Sequence, residues 1–190
     1  ETESALETVR QRYPGATNIH YCKDSLMGFA GEACAEGKKY DYVIFAGTLA
    51  APYEEHIRAA KSLLKPTGIL IVAAANALGM KYFAGYNEDH LAKPFVGIEG
   101  YENENRIRTF SYSEIRTLLN KCGYQKLAFA FPFPDYKLPQ AIYDENALMK
   151  YEVDFSSRNN YDSDVLLCFD QLKAFKSLKG TEELKYFANS

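Results

Sequence analysis

Lys39-Tyr40-Asp41-Tyr42-Val43-Ile44-Phe45-Ala46-Gly47 is an apolar, β-branched and aromatic run ended by two small residues. It reads as a strand buried on both faces, the kind found in parallel sheets with helices on either side. Downstream, Glu54 to Leu64 sets Ile57, Ala60, Leu63 and Leu64 on one side of an amphipathic helix, and Lys65-Pro66-Thr67-Gly68 stops it. Ile69-Leu70-Ile71-Val72-Ala73-Ala74 is a second buried strand. Strand, helix, turn and strand within about 35 residues make a right-handed βαβ unit, so the fold class is α/β.

Upstream, residues 3–12 place Leu6, Val9 and Ala5 on one face of a helix that Tyr13-Pro14-Gly15 ends. Thr17 to Cys22 reads as a short strand ending at Lys23-Asp24, and residues 25–39 as loop and helix around Phe29 to Cys34. Downstream, Asn76 to Arg108 is rich in Gly and aromatics and has little periodicity. A loop this long in a compact domain is usually functional, often a lid. Ser111 with Glu114 fits a capping box, Ile115, Leu118 and Leu119 form the buried face of that helix, and Gly123 closes it. Lys126 to Phe133 alternates as a strand. Asp135 to Asp162 shows no clear period. Asp164 to Phe169 is either a strand or the start of a buried helix, and 171–187 begins as a helix.

The 190 residues suit one domain, expected to bury about 70% of its unfolded surface without disulfides or metal. Lys plus Arg is 22 and Asp plus Glu is 25; with no basic excess, nucleic acid is not an expected partner. Hydrophobic residues at 47% exclude wholesale disorder. The 15 Tyr and 12 Phe suit an aromatic-rich core or a sugar-contacting surface. Cys22, Cys34, Cys122 and Cys168 are scattered and lack zinc-ligand spacing. No metal is expected, and the thiols read as reduced, mostly buried and cytoplasmic. The longest uncharged run, Thr67 to Met80, is too short to span a bilayer. The chain starts without Met on a polar helical segment and reads as a piece of something longer.

Lys39 to Phe45 and Leu63-Leu64-Lys65-Pro66-Thr67-Gly68-Ile69-Leu70-Ile71-Val72 resemble the central section of class I S-adenosylmethionine-dependent methyltransferases, their fourth strand and the turn into the fifth, with Thr67 in place of the first Gly of the usual pair. Thr109 to Gly123 followed by Tyr124 to Phe133 resembles the element leading into strand six. Phe131-Pro132-Phe133-Pro134-Asp135-Tyr136-Lys137-Leu138-Pro139 is similar to a segment of methyltransferase domains in bacterial surface-glycan biosynthesis. So is Phe187-Ala188-Asn189-Ser190, which in such domains enters a further strand. The likeness covers most of 1–139, and 140–190 is an extension. It implies a Rossmann-like, mostly parallel sheet with flanking helices. It also implies that the chain starts just after strand two, because the Gly-rich cofactor turn and the ribose-binding acid are missing, and Gly28 to Gly31 does not match them. Strand four would then expose a long apolar edge, which invites a homodimer or a displaced third strand.

The resemblance implies methyl transfer from S-adenosylmethionine to a hydroxyl or amine of a glycan precursor, with weak or no cofactor binding by this chain alone. Asp24 would lie near the adenine, and Ala46 and Gly47 at the strand end would admit the cofactor. Asn76 would face the acceptor across the same crevice. His90, beside Glu88 and Asp89, is the candidate general base. Tyr101, Arg108, Asp135 and Tyr136 are candidates for a polar acceptor pocket. A non-catalytic Rossmann-like module of a larger glycan-biosynthesis protein and a nucleotide-sugar-handling domain stay open as alternatives.

Overall fold

The computed structural model describes residues 3–101, 108–150 and 169–190. The run from Asp164 to Leu167, Cys168 and most of the acidic stretch 99–105 lie outside them. The described residues form a mixed α/β structure with two two-stranded sheets, and the chain divides into two compact units. The first holds residues 1–43 and 55–70, the second 44–54 and 71–190.

In the first unit, α1 (Glu3–Arg12) buries Leu6 and leaves Val9 exposed, so the expected apolar face is one residue deep. Gly15, at φ +84°, takes the left-handed turn that ends this segment, where glycine meets no Cβ penalty. The expected strand from Thr17 to Cys22 does not form. A short run becomes a strand only when a neighbour takes its backbone groups. Here the side chains lean on α1 instead, with Arg10 over the Tyr21 ring at 5.6 Å and Lys23 paired to Glu3 at 3.0 Å.

Ser25 caps α2 (Leu26–Ala35) by accepting from the Gly28 N–H at 3.0 Å. Small residues let helices approach closely, and the core of this unit is Ala30, Ala33, Ala59 and Leu63, with Phe29, Tyr40 and Val43 against it. Ala59 and Leu63 belong to α3 (Tyr53–Leu63), whose Ile57 and Ala60 are fully buried, as the amphipathic pattern requires.

β1 (Tyr40–Ala46) pairs with β2 (Leu64–Ala73) in the small parallel sheet. The expected stop at Lys65 to Gly68 is part of β2. Lys65 holds Asp41 at 2.8 Å, and a Cβ on Gly68 would meet the Tyr40 carbonyl oxygen at 2.9 Å. The missing side chain therefore lets the two backbones close up, and Pro66 is tolerated on an edge strand. Burial on both faces, expected from the unbroken apolar runs, is corrected. Phe45 is buried, but Tyr42 and Ile44 on β1 and Ile69 and Ile71 on β2 are between 41% and 59% exposed. One face of each strand is open and apolar.

In the second unit, α4 (Met80–Phe83) interrupts the long loop. Ser111 and Glu114 make the expected capping box on α5 (Tyr112–Lys121), and Gly123, at φ +86°, ends it. β3 (Ala130–Phe133) is shorter than expected. It runs antiparallel to β4 (Ala141–Asp144), with Phe131 opposite Tyr143 and Phe133 opposite Ala141. β4 runs directly into α6 (Glu145–Lys150), and α7 (Gln171–Leu178) and α8 (Leu184–Phe187) follow. Met80, Tyr112, Phe131, Phe133, Leu148, Phe175, Leu184 and Ala188 make the core. Each large apolar side chain buried here contributes roughly 1.5–3 kcal/mol. Tyr112 donates to Glu145 at 2.7 Å, and burial pushes its phenol up to about 12.

Cys22 and Cys34 are exposed and Cys122 is buried, so the expectation of mostly buried thiols holds for one of the three described. Among the described residues, no helix is long and apolar enough to cross a membrane, and no group of three His, Cys, Asp or Glu side chains is placed to hold a metal ion.

Candidate functional site

Within the second unit, the last residues of β1 and β2 end side by side. Gly47, at φ +67°, donates its N–H to the Ala73 carbonyl at 2.7 Å. The Tyr136 hydroxyl fills the space a side chain would take there, since a Cβ on Gly47 would lie 2.5 Å from Tyr136 Oη. Small residues at the strand end, expected from the sequence to permit close approach, thus receive a tyrosine from the segment after β3. The phenol of Tyr136 is raised by burial.

Asn76 is 6% exposed, and its side chain is committed within the protein. The amide donates to the carbonyls of Tyr186 at 2.8 Å and Ala188 at 2.7 Å, and Oδ1 accepts from the Leu78 N–H at 3.1 Å. Asn189 answers from the other side. Its carbonyl accepts from the Asn76 N–H, its Oδ1 from the Lys81 N–H at 2.9 Å, and its amide donates to Pro134. Residues 188–190 form no strand. They are stitched to the end of β2 by this pair of asparagines.

Glu88 organises the loop. It is 1% exposed and accepts the N–H groups of His90 at 2.7 Å and Leu91 at 2.9 Å, with the Tyr101 hydroxyl farther off at 3.4 Å. Tyr101 is itself buried, at φ +57°, and shares a short hydrogen bond with the Thr109 hydroxyl. Burial raises its phenol. Ala92 and Phe95 also have positive φ, so backbone strain gathers in this loop, as it does at many binding sites. Asp89 pairs with Lys137 at 2.9 Å, and that hydrogen bond raises the Lys137 amine. Asp135 accepts from the N–H groups of Lys137 and Leu138, which shapes the turn after β3.

Two groups that the sequence reading passed over lie at the centre. Lys81 is 8% exposed, and its ammonium sits over the Tyr82 ring at 5.0 Å. Burial lowers its pKa, against the pull of Asp89, Asp135 and Glu88. Tyr82 is 2% exposed, and its hydroxyl has no hydrogen-bond partner among the described residues. Burial raises its phenol well above the ordinary value. A signal for this pair exists in the sequence: Lys81 is the first charge after the uncharged run from Thr67 to Met80.

The structure therefore brings together Gly47 and Tyr136, and links Asp135 and Tyr136 to the loop through Lys137 and Asp89. Tyr101 lies under that loop as part of its scaffold. His90 is exposed, and only its backbone N–H meets Glu88. Arg108 lies over the Phe110 ring at 4.6 Å and pairs with Glu114 at 3.5 Å. Asp24 belongs to the first unit, where its carboxylate accepts from the Ser25 N–H and packs against Gly28. A Cβ on Gly28 would come within 2.5 Å of it. No protein-family model matches the chain, and no curated protein or solved structure matches it.

Proposed function

We propose that the chain is a Rossmann-like, methyltransferase-like α/β domain whose second unit carries the acceptor side of a transfer site, for a hydroxyl or amine of a glycan or other small polar molecule. The observation that carries this reading is the meeting of Gly47 and Tyr136 at the ends of the parallel strands. Ligands of open α/β sheets bind outside the carboxyl ends of the strands. There a positive-φ glycine keeps the backbone open to a tyrosine hydroxyl, beside a strained loop with buried polar groups.

S-adenosylmethionine, when bound, would supply an electrophilic methyl group. The residues present fit it only in part. Ala46 is exposed at the strand end, but the space at Gly47 is taken by the Tyr136 hydroxyl, and the 190 residues contain no Gly-rich turn for the adenosyl group. Aligning the acceptor supplies most of the acceleration in such a displacement, and a rigid Tyr136 held between Gly47 and the core suits that task. The exposed position of His90 favours a second reading, a non-catalytic Rossmann-like module of a larger glycan-biosynthesis protein. In either reading the edge of β1 away from β2 pairs with a second copy.

The test is S-adenosylmethionine calorimetry on the 190-residue chain and on the whole polypeptide its gene encodes, followed by transfer of labelled methyl to surface polysaccharide. The whole polypeptide is expected to bind with a Kd of about 1–100 μM and to label the polymer, with the 190-residue chain at least tenfold weaker. No binding by either leaves the module reading in its place.

A further inference from the structure

We propose that Lys81 and Tyr82 form an anchoring site for a carboxylate-bearing small molecule, such as an acidic sugar. Lysine is almost never this deeply buried without a partner. Among the described residues, the Lys81 ammonium has no ion pair and no hydrogen bond, only the Tyr82 ring beneath it. On the next residue the Tyr82 hydroxyl is buried and has no hydrogen-bond partner among the described residues. A cation with no ion pair and a hydroxyl with no acceptor, on successive residues, are the complement of an anionic oxygen group.

The neighbouring acids do not fill that role. Asp89 is taken by Lys137, Glu88 by two backbone N–H groups and the Tyr101 hydroxyl, and Asp135 by the N–H groups of Lys137 and Leu138. Their commitments also set the charge the site accepts. Lys81 and Lys137 against Glu88, Asp89 and Asp135 leave two positive and three negative groups, one negative in balance. A singly charged carboxylate can sit on the Lys81 ammonium in that field, whereas a phosphate dianion is disfavoured by the surrounding acids. The site would orient the ligand whether or not a methyl group is transferred.

The test is protection of Lys81 from trace amine acetylation in the 190-residue chain, read by mass spectrometry, with galacturonate, glucose, inorganic phosphate and potassium chloride as probes. At about 10 mM, galacturonate is expected to slow labelling of Lys81 at least fivefold and to leave Lys137 unchanged, with glucose and chloride without effect. Calorimetry should show galacturonate binding lost in Lys81→Met and weakened about tenfold in Tyr82→Phe, which removes only the donor. Lys81→Arg keeps the charge and serves if Lys81→Met does not fold; it should retain part of the affinity. Equal protection by phosphate would overturn the carboxylate assignment, and no protection by any anion would overturn the site. Neither result bears on methyl transfer, whose failure with Lys81 protection intact would remove only the transfer reading.

Discussion

Substituting Gly47 by alanine tests the strand-end geometry directly. Gly47 sits at φ +67°, a conformation that costs an alanine about 1 kcal/mol. The new Cβ would also stand 2.5 Å from Tyr136 Oη, with Cζ at 3.4 Å behind it. To make room, the Tyr136 ring must leave its packing against the cluster of Ala75, Tyr82, Ala84 and Tyr86. Overpacking of this sort costs about 1–2 kcal/mol, so Gly47→Ala should destabilise by about 2–3 kcal/mol in all. For a chain of this size that lowers Tm by roughly 4–12 °C. Tyr136→Phe removes the oxygen and leaves only the ordinary contact with Cζ. In that background Gly47→Ala should cost about 1 kcal/mol, the backbone part alone. Urea denaturation of the four proteins therefore gives a coupling of about 1–2 kcal/mol. Equal losses in the two backgrounds would refute the contact, and no loss in either would refute the left-handed backbone as well.

Asn76→Ala removes two donors from buried carbonyls and one acceptor, and should cost about 2–4 kcal/mol by urea denaturation, with proteolysis near residues 188–190 rising in parallel. Ser111→Ala breaks the capping box of α5 and should cost about 1 kcal/mol, measured as a Tm shift, with Ser111→Asp largely retaining the cap. Lys81 binds its proton less tightly folded than unfolded, so between the folded and the unfolded pKa the unfolded chain carries more protons and stability rises with pH. Lys81→Met should therefore be more stable than the parent at neutral pH, with the gap closing as pH climbs towards the unfolded lysine value. Denaturation midpoints across that range check the sign. Ile44→Lys on the open face of β1 should abolish any self-association of the parent chain seen by sedimentation equilibrium, with its circular dichroism unchanged.

Much of the frame was legible because it depends on local signals. The capping box of α5, the amphipathic stripe of α3 and the apolar run of β1 all appear where their residue patterns put them. The misses have one cause, which is that strand formation and burial depend on partners. Thr17 to Cys22 has the alternation of a strand and finds no ladder, whereas Ala141 to Asp144, too short and too exposed to stand out, becomes β4 because β3 lies beside it. An unbroken apolar run likewise does not reveal whether both faces of β1 will be covered. Lys65 to Gly68 reads as a stop, yet it continues as strand because glycine lets the backbone close on Tyr40.

The site follows the same logic with a sharper consequence. Residue type picked out His90, Asn76 and Tyr101, groups whose chemistry is suggestive wherever they occur. In the structure Asn76 and Tyr101 are hydrogen-bonded within the scaffold, and His90 is exposed. Lys81 and Tyr82 were unremarkable as residue types in a short apolar helix. What distinguishes them is that both are buried and that, among the described residues, the Tyr82 hydroxyl has no hydrogen-bond partner and the Lys81 ammonium no ion pair. A fold selected for stability alone would place a leucine and a phenylalanine there, since both would pack without unpaired polar atoms. Retaining an ammonium and a hydroxyl in that place makes sense if a ligand completes them. The predicted gain in stability of Lys81→Met and its predicted loss of carboxylate binding are therefore two readings of one fact, and finding the first without the second would mean that the buried charge serves no ligand.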